Sequence, residues 1–304
     1  MYNQVTMLYP LFLLVLLGID WASGYAIAGY VMRHGVSPYG YAFWQSFGPL
    51  VCLVIIQAFR SDLKPAQGSL VYSVLCGLIA IAIPNLLVYF VSAKVSSAIV
   101  TILANCAPIF TYPLALLFGR ERFHLSRLAM VLIGSVGIFI LVNPVKSHLE
   151  LNFADYWLYV ALLIPFCYAL SAVYVSRFLP KSGSILNYAM WMLFVAAIVN
   201  SALVVMQNEF YVLHYNDFNS WLIILEILLS TAGYVLLFAI LKMVGPVYYI
   251  LVNAIAALTG IMYGKLIFGQ SFNNITYIAS GLIISAIIGL TYTQRKLLQK
   301  LHRR

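Results

Sequence analysis

Long apolar runs, separated by short polar connections, dominate this chain. They predict helices at 8–31, 38–59, 68–92, 95–118, 125–142, 155–176, 183–206, 220–242, 246–268 and 275–293. Each has roughly the 17–25 residues that an α-helix needs to cross a ~30 Å hydrocarbon core. A membrane β-barrel would alternate polar and apolar positions within each strand, and these runs are continuous. The pattern is that of an all-α polytopic membrane protein with ten transmembrane helices.

Composition removes the soluble alternatives. Hydrophobic residues make up 63% of the 304 positions and charged residues 8%, against about 25% charged in a soluble domain. The net charge of +9 is spread singly between runs, so it reads as a topology signal and no nucleic-acid partner is expected. Thirteen of the seventeen Lys and Arg fall on one side of the alternating connections, from Arg60 and Lys64 to the tail carrying Arg303 and Arg304. Arg33, Lys94, Lys146 and Lys265 fall on the other. The positive-inside rule then puts both termini in the cytoplasm. No Lys or Arg precedes the first run, which therefore reads as a retained span and not a cleaved leader. Cys52, Cys76, Cys106 and Cys167 lie inside apolar runs without ligand spacing and read as small buried hydrophobes.

The chain also repeats itself. Tyr41-Ala42-Phe43-Trp44-Gln45-Ser46-Phe47 matches Tyr188-Ala189-Met190-Trp191-Met192-Leu193-Phe194 at an offset of 147, and Leu116-Leu117-Phe118-Gly119 matches Leu266-Ile267-Phe268-Gly269 at 150. Two five-helix halves follow, 1–150 and 151–304. Five is odd, so the second half enters the bilayer inverted. The charges agree: Gly119 precedes Arg120-Glu121-Arg122, whereas Gly269 precedes the uncharged Gln270-Ser271-Phe272. Inverted repeats give secondary transporters two related conformations, one open to each side.

In these features the chain resembles the drug/metabolite transporter superfamily, and within it the EamA-type exporters. The resemblance is carried by Asp20-Trp21-Ala22-Ser23-Gly24-Tyr25, by Ser97-Ala98 through Pro108 to Gly119-Arg120-Glu121-Arg122, and by Gly134-Ser135-Val136-Gly137. Two departures stand out: Gln45 where many members carry Arg, and Gln270-Ser271 where a Gly-Glu pair is usual. The resemblance implies a metabolite carrier without a bound cofactor, working as an exporter. The expected location is the cell (inner) membrane of a bacterium.

Polar groups inside hydrocarbon cost several kcal/mol unless paired, so those deep in spans mark a water-lined path. Asp20 and Glu226 are the carboxylates placed well inside spans, and either suits a cationic amino group or a coupling proton. Polar stripes at helical spacing add Asn85 and Tyr89, Thr101 and Asn105, Tyr168 and Ser171, Ser230 and Tyr234, and Tyr249 and Asn253, while Trp21, Ser23 and Tyr25 flank Asp20. Together these fourteen positions, Asp20 included, are the expected substrate-binding set. Pro84, Pro108 and Pro165 interrupt their helices and are candidate hinges. Aromatic faces beside a carboxylate suit a cationic solute. Gly281, Ser285 and Gly289 form a small-residue stripe that fits close packing within a monomer or a homodimer.

These features predict alternating-access transport of a small metabolite, an amino acid or related amine. Uptake or exchange of a nucleotide-like or choline-like solute is the alternative within transport. A non-transporting membrane assembly protein is the alternative outside it. No motif for metal hydrolysis, phosphate binding or a nucleophile elbow is present, so no enzyme is expected.

Overall fold

The structure, a computed structural model, describes residues 5–65, 68–119, 123–142, 153–178, 184–249 and 251–301. Among them there is no strand, and the helices form ten spans. Five are continuous in the sense expected: α1 (Val5–Arg33), α2 (Pro38–Phe59), α5 (Leu125–Val142), α7 (Ile185–Gln207) and α10 (Asn274–Leu301). Three are interrupted. α3 joins Leu70–Cys76 to Ile83–Ser92 through a wide π-turn at Gly77–Ala82; α4 is Ser97–Ala104 followed by Ala107–Leu117; α6 is Phe153–Ala161 followed by Leu163–Phe178. α8 (Phe218–Tyr249) and α9 (Leu251–Leu266) complete the set. Seven spans are long and apolar enough to cross a membrane, while α5 and α10 carry shorter apolar stretches.

The interruptions obey a simple steric rule. Proline removes one N–H and its ring collides with the carbonyl four residues earlier. That residue is Ala104 for Pro108 and Ala161 for Pro165, the last residue of each first segment; for Pro84 it is Ala80, inside the π-turn. One expectation needs correction. The predicted break between 242 and 246 does not occur, because α8 runs through Gly245-Pro246 to Tyr249. There the missing N–H costs a single bond of a helix 32 residues long, and a proline kink need not end a helix.

The inversion is visible in the backbone. Ser37 caps α2, its Oγ accepting from Gly40 N at 3.0 Å. Ser184, 147 positions later, caps α7 in the same way, accepting from Asn187 N at 3.1 Å. Ser61 and Asn208, again 147 apart, follow these helices with φ of +54° each, and Gly119 and Gly269, 150 apart, follow α4 and α9 at +64° and +59°. A two-fold axis in the membrane plane also demands that each helix run antiparallel to its repeat mate. It does. Asn200 of α7 donates to Ala42 O of α2 at 3.2 Å while Ser184 donates to Asp62 beyond the other end of α2 at 2.6 Å. Thr101 and Ala98 of α4 face Gly260 and Gly264 of α9, and Gly134 and Gly137 of α5 face Ala286 and Ala279 of α10. These glycines matter because a Cβ at any of them would lie 3.0 Å or less from the partner helix.

Candidate functional site

The two halves enclose one chamber of about 650 Å³. Its upper end lies under Tyr41 and Tyr89, whose rings meet edge to face at 4.7 Å between centroids. Its lower end reaches Tyr72 and Tyr188 at the starts of α3 and α7, Arg127 at the start of α5 and Leu290 of α10. The three proline breaks all abut it: Pro108, Ala80 and Ala107 line the wall, and Tyr168 and Ser171 follow Pro165 by about one and two turns. Carbonyls freed by these breaks lie where water-filled space can satisfy them, the usual condition for irregular backbone at membrane depth.

Both membrane carboxylates face this space. α1 and α8 run antiparallel and meet in two reciprocal sockets. Asp20 of α1 occupies the space that a Cβ on Gly233 would take, and Glu226 of α8 presses on Gly24, where an added Cβ would lie 2.6 Å from Oε1. Glu226 Oε1 accepts from Ser230 Oγ at 2.9 Å, and that hydroxyl lies 3.4 Å from Gln45 Oε1. Polar atoms of the chamber wall that are buried without a hydrogen-bond partner include Glu226 Oε2, Gln45 Nε2 and the Tyr41 hydroxyl. An orphaned buried carboxylate oxygen is expensive, of the order of 1–3 kcal/mol or more for a charged group.

The symmetry mate of the Asp20–Gly233 pair is neutral. Tyr168 and Asn85 stand 148 positions from Asp20 and Gly233, and Tyr168 donates to Asn85 Oδ1 at 2.9 Å. Where α1 sets a carboxylate against a glycine of α8, its repeat mate α6 sets a phenol against an amide of α3. The chamber's negative groups therefore belong to one wall, α1 with α8.

Of the expected binding residues, eleven line the chamber: Asp20, Trp21, Tyr25, Asn85, Tyr89, Asn105, Tyr168, Ser171, Ser230, Tyr234 and Asn253. Two do not. Ser23 bonds Ile19 O at 2.8 Å and the Tyr263 hydroxyl at 3.1 Å, pinning α1 to α9. Thr101 donates to Ser97 O at 2.7 Å and packs against Gly260. Hydroxyls in helices satisfy themselves on the carbonyl four residues back, which frees both for packing. The Tyr249 side chain lies outside the described residues. The expected binding set left out Tyr41, Gln45, Thr111, Tyr112, Tyr188 and Arg127, all of which line the chamber, although Tyr112 continues the polar stripe of Thr101 and Asn105 at helical spacing. Arg127 is the largest surprise: counted as a loop charge, it is 4% exposed. For Tyr41 and Tyr188 a signal existed, since they occupy the same place in the matched repeat segments. Among the described residues no three His, Cys, Asp or Glu side chains converge as a metal would require.

Comparison with known proteins follows the same division of the chain. The model of the EamA-like transporter family matches residues 8–143 and again residues 155–292. A crystal structure described only as that of a protein superposes with a TM-score of 0.61 at 14% identity, covering 92% of this chain and 97% of its own. At that identity the likeness speaks for the fold. No curated protein matches by sequence.

Proposed function

The chain belongs to the EamA-like transporter family, and from that premise we propose that it carries small amines, amino acids foremost, through the chamber by alternating access. The observation that carries this reading is Glu226 Oε2, a buried acceptor without a partner in the wall of a solute-sized space. An ammonium supplies the missing donors and the countercharge together. Asp20 offers the second acceptor, and Trp21, Tyr25, Tyr89 and Tyr234 offer aromatic surface to the same cation. Gln45 Nε2 leaves a donor for an uncharged acceptor on the solute.

Alternation follows from the inverted halves: a state closed beneath Tyr41 and Tyr89 exchanges with one closed at the opposite end. With the basic connections in the cytoplasm, the Tyr41–Tyr89 end faces outward. Pro84, Pro108 and Pro165 mark where α3, α4 and α6 bend during that exchange. Asp20 and Glu226 are the groups that take up a coupling proton when no cation occupies the chamber, because an ionised carboxylate cannot remain there uncompensated. Export as the direction comes from the family likeness, with the two halves spanning 1–150 and 151–304.

A quaternary ammonium is the second reading, favoured by the same aromatic wall. Flux of a panel of amino acids, primary amines and quaternary amines into proteoliposomes tests both. Primary amines are expected to move, to compete with one another, and to stop moving in Asp20→Asn without loss of expression. Glu226→Gln is expected to flatten the pH profile of flux. Unchanged flux in Asp20→Asn removes the carboxylate from the mechanism, and equal handling of primary and quaternary amines removes the hydrogen bond to Glu226.

A further inference from the structure

Gln45 of α2 and Ser230 of α8 meet in the chamber wall, and the arrangement is short of one hydrogen. Ser230 Oγ lies 2.9 Å from Glu226 Oε1 and 3.4 Å from Gln45 Oε1. Both of these neighbours are acceptors, and a hydroxyl carries a single hydrogen. The shorter contact, to a carboxylate, holds it. Gln45 Oε1 then faces an oxygen with no hydrogen left, at a distance beyond a normal O–H···O bond, while Gln45 Nε2 is buried without a partner. Turning the amide over mends both faults, because Nε2 then donates to Ser230 Oγ.

Without a solute the chain from α2 to α8 can therefore always close. With Glu226 ionised, the turned amide donates to Ser230, which donates to Glu226. With Glu226 protonated, Ser230 is free to donate to Gln45 Oε1. Asp20 and Tyr25 of α1, Tyr41 of α2, Tyr89 of α3 and Tyr234 of α8 are the titratable neighbours of Glu226, and the tie forms whichever way they set its proton. It fails when an ammonium keeps Glu226 ionised and an acceptor on the same solute holds Nε2 in the lumen.

The packing gives the tie a task. A Cβ on Gly48 of α2 would lie 2.5 Å from Ile227 of α8, and Gln45 and Ser230 each stand three residues from that contact. Tyr41, which closes the chamber with Tyr89, lies one turn before Gln45 on the same helix. At the mirror position α3 and α7 cross as closely, a Cβ on Gly77 lying 2.7 Å from Met192 O. There the repeat mates of Gln45 and Ser230 are Met192 and Ala82, and alanine has no side-chain group to bond. Close crossing of these helices does not need the polar pair.

We propose that Gln45 is a specificity-determining residue of transport: through Ser230 it ties α2 to α8 until one solute gives an ammonium to Glu226 and a neighbouring acceptor to Gln45 Nε2. Amines bearing a carbonyl or hydroxyl near the nitrogen are then carried faster than amines without one. The two groups are close enough for one small solute, since a single hydroxyl touches both and their Oε1 atoms stand at most about 6 Å apart. This rests on the amine reading of Glu226 and adds what the same pocket asks of the rest of the solute.

Equilibrium exchange across proteoliposomes tests it, because the carrier then crosses loaded in both directions. Glycinamide is compared with isobutylamine, its hydrocarbon isostere, at a pH where both are protonated, and flux through protein-free liposomes is subtracted. The unmodified protein is expected to exchange glycinamide at a maximal rate about 5-fold higher, the change expected for one neutral hydrogen bond. Ser230→Ala removes the tie but keeps Nε2, so it should equalise the maximal rates while glycinamide retains the lower half-saturation concentration. Ser230→Thr keeps the hydroxyl and should preserve the rate ratio. Gln45→Leu should abolish both differences. A rate ratio that survives in Ser230→Ala overturns the proposal. So do equal maximal rates in the unmodified protein, a comparison that needs no variant to fold. The two readings fail separately. If both amines compete for one site and exchange at equal maximal rates, the tie is refuted and the amine site stands. If neither binds nor moves, the amine site is refuted and the tie falls with it.

Discussion

Replacing Gly24 with alanine probes the carboxylate socket without touching either carboxylate. The new Cβ would lie 2.6 Å from Glu226 Oε1 and 3.2 Å from its Cδ, whereas ordinary contact begins at 3.4 Å. The obstacle is the far end of a flexible side chain, so Glu226 moves by about 0.8 Å, the difference between those distances, and the backbone stays. Its 2.9 Å bond to Ser230 stretches past useful length. Losing a hydrogen bond to a charged group costs about 1.5–3 kcal/mol, while glycine to alanine inside a helix returns up to ~1 kcal/mol. The folded protein should therefore lose little thermal stability. Solute affinity should fall about 10- to 100-fold, because the displaced oxygen no longer meets the ammonium. Gly281→Ala is the control, since nothing lies within 4 Å of its added Cβ. Equilibrium binding and proteoliposome flux, beside a melting curve for each variant, decide the matter. A well-folded Gly24→Ala protein with unchanged affinity and flux would refute the socket and the role assigned to Glu226.

Other consequences are open to direct measurement. Ser37→Ala should cost the protein about 1 kcal/mol through the lost helix cap. Ser184→Ala should cost more, because its Oγ donates to the Asp62 carboxylate at 2.6 Å, whereas that of Ser37 donates to the neutral Glu209 carbonyl at 3.3 Å; comparing the two denaturation midpoints at one detergent concentration checks this. On the connection before α8, Tyr211 donates to Asp217 and, with Ser220, holds that carboxyl below the usual range. A depressed folded-state value means that the contribution to loop stability is complete above the ordinary carboxylate range and disappears as the pH falls through the lowered value. Hydrogen exchange at the Ser220 amide, which donates to Asp217 Oδ2 at 3.1 Å, should accelerate only at that acidic end, and in Asp217→Asn it should be fast at neutral pH as well.

Much of this arrangement is legible in the amino-acid order, and the portion that is not has physical causes. Span positions follow from apolar length, and the repeat follows from two short matches at offsets of 147 and 150, the first recurring in the caps Ser37 and Ser184 and in the left-handed residues Ser61 and Asn208. Asp20 and Glu226 stand out because a carboxylate in hydrocarbon needs a reason. Ser23 and Thr101 mislead, since a hydroxyl at helical spacing looks the same whether it faces a lumen or a neighbouring helix. Arg127 is hidden by its position two residues inside α5, where counting charges cannot separate a solvated loop cation from a buried one. Gln45 is noticed as a departure from the family pattern, yet its place beside Ser230 emerges only when α2 and α8 are packed together. The continuation of α8 past Pro246 shows the limit of proline as punctuation: it removes a bond but does not dictate a turn.

The most direct test of the whole account is water access to the chamber wall. With Cys52, Cys76, Cys106 and Cys167 replaced by alanine, single cysteines are placed at Ser230, in the chamber, and at Val136, which is 52% exposed on the outside of α5. A charged, membrane-impermeant thiol reagent should modify the cysteine at 230 from one face of the bilayer, be blocked there by a transported amine, and leave the cysteine at 136 unmodified. An inert cysteine at 230, or equal labelling at both positions, would contradict a wet chamber between two inverted halves.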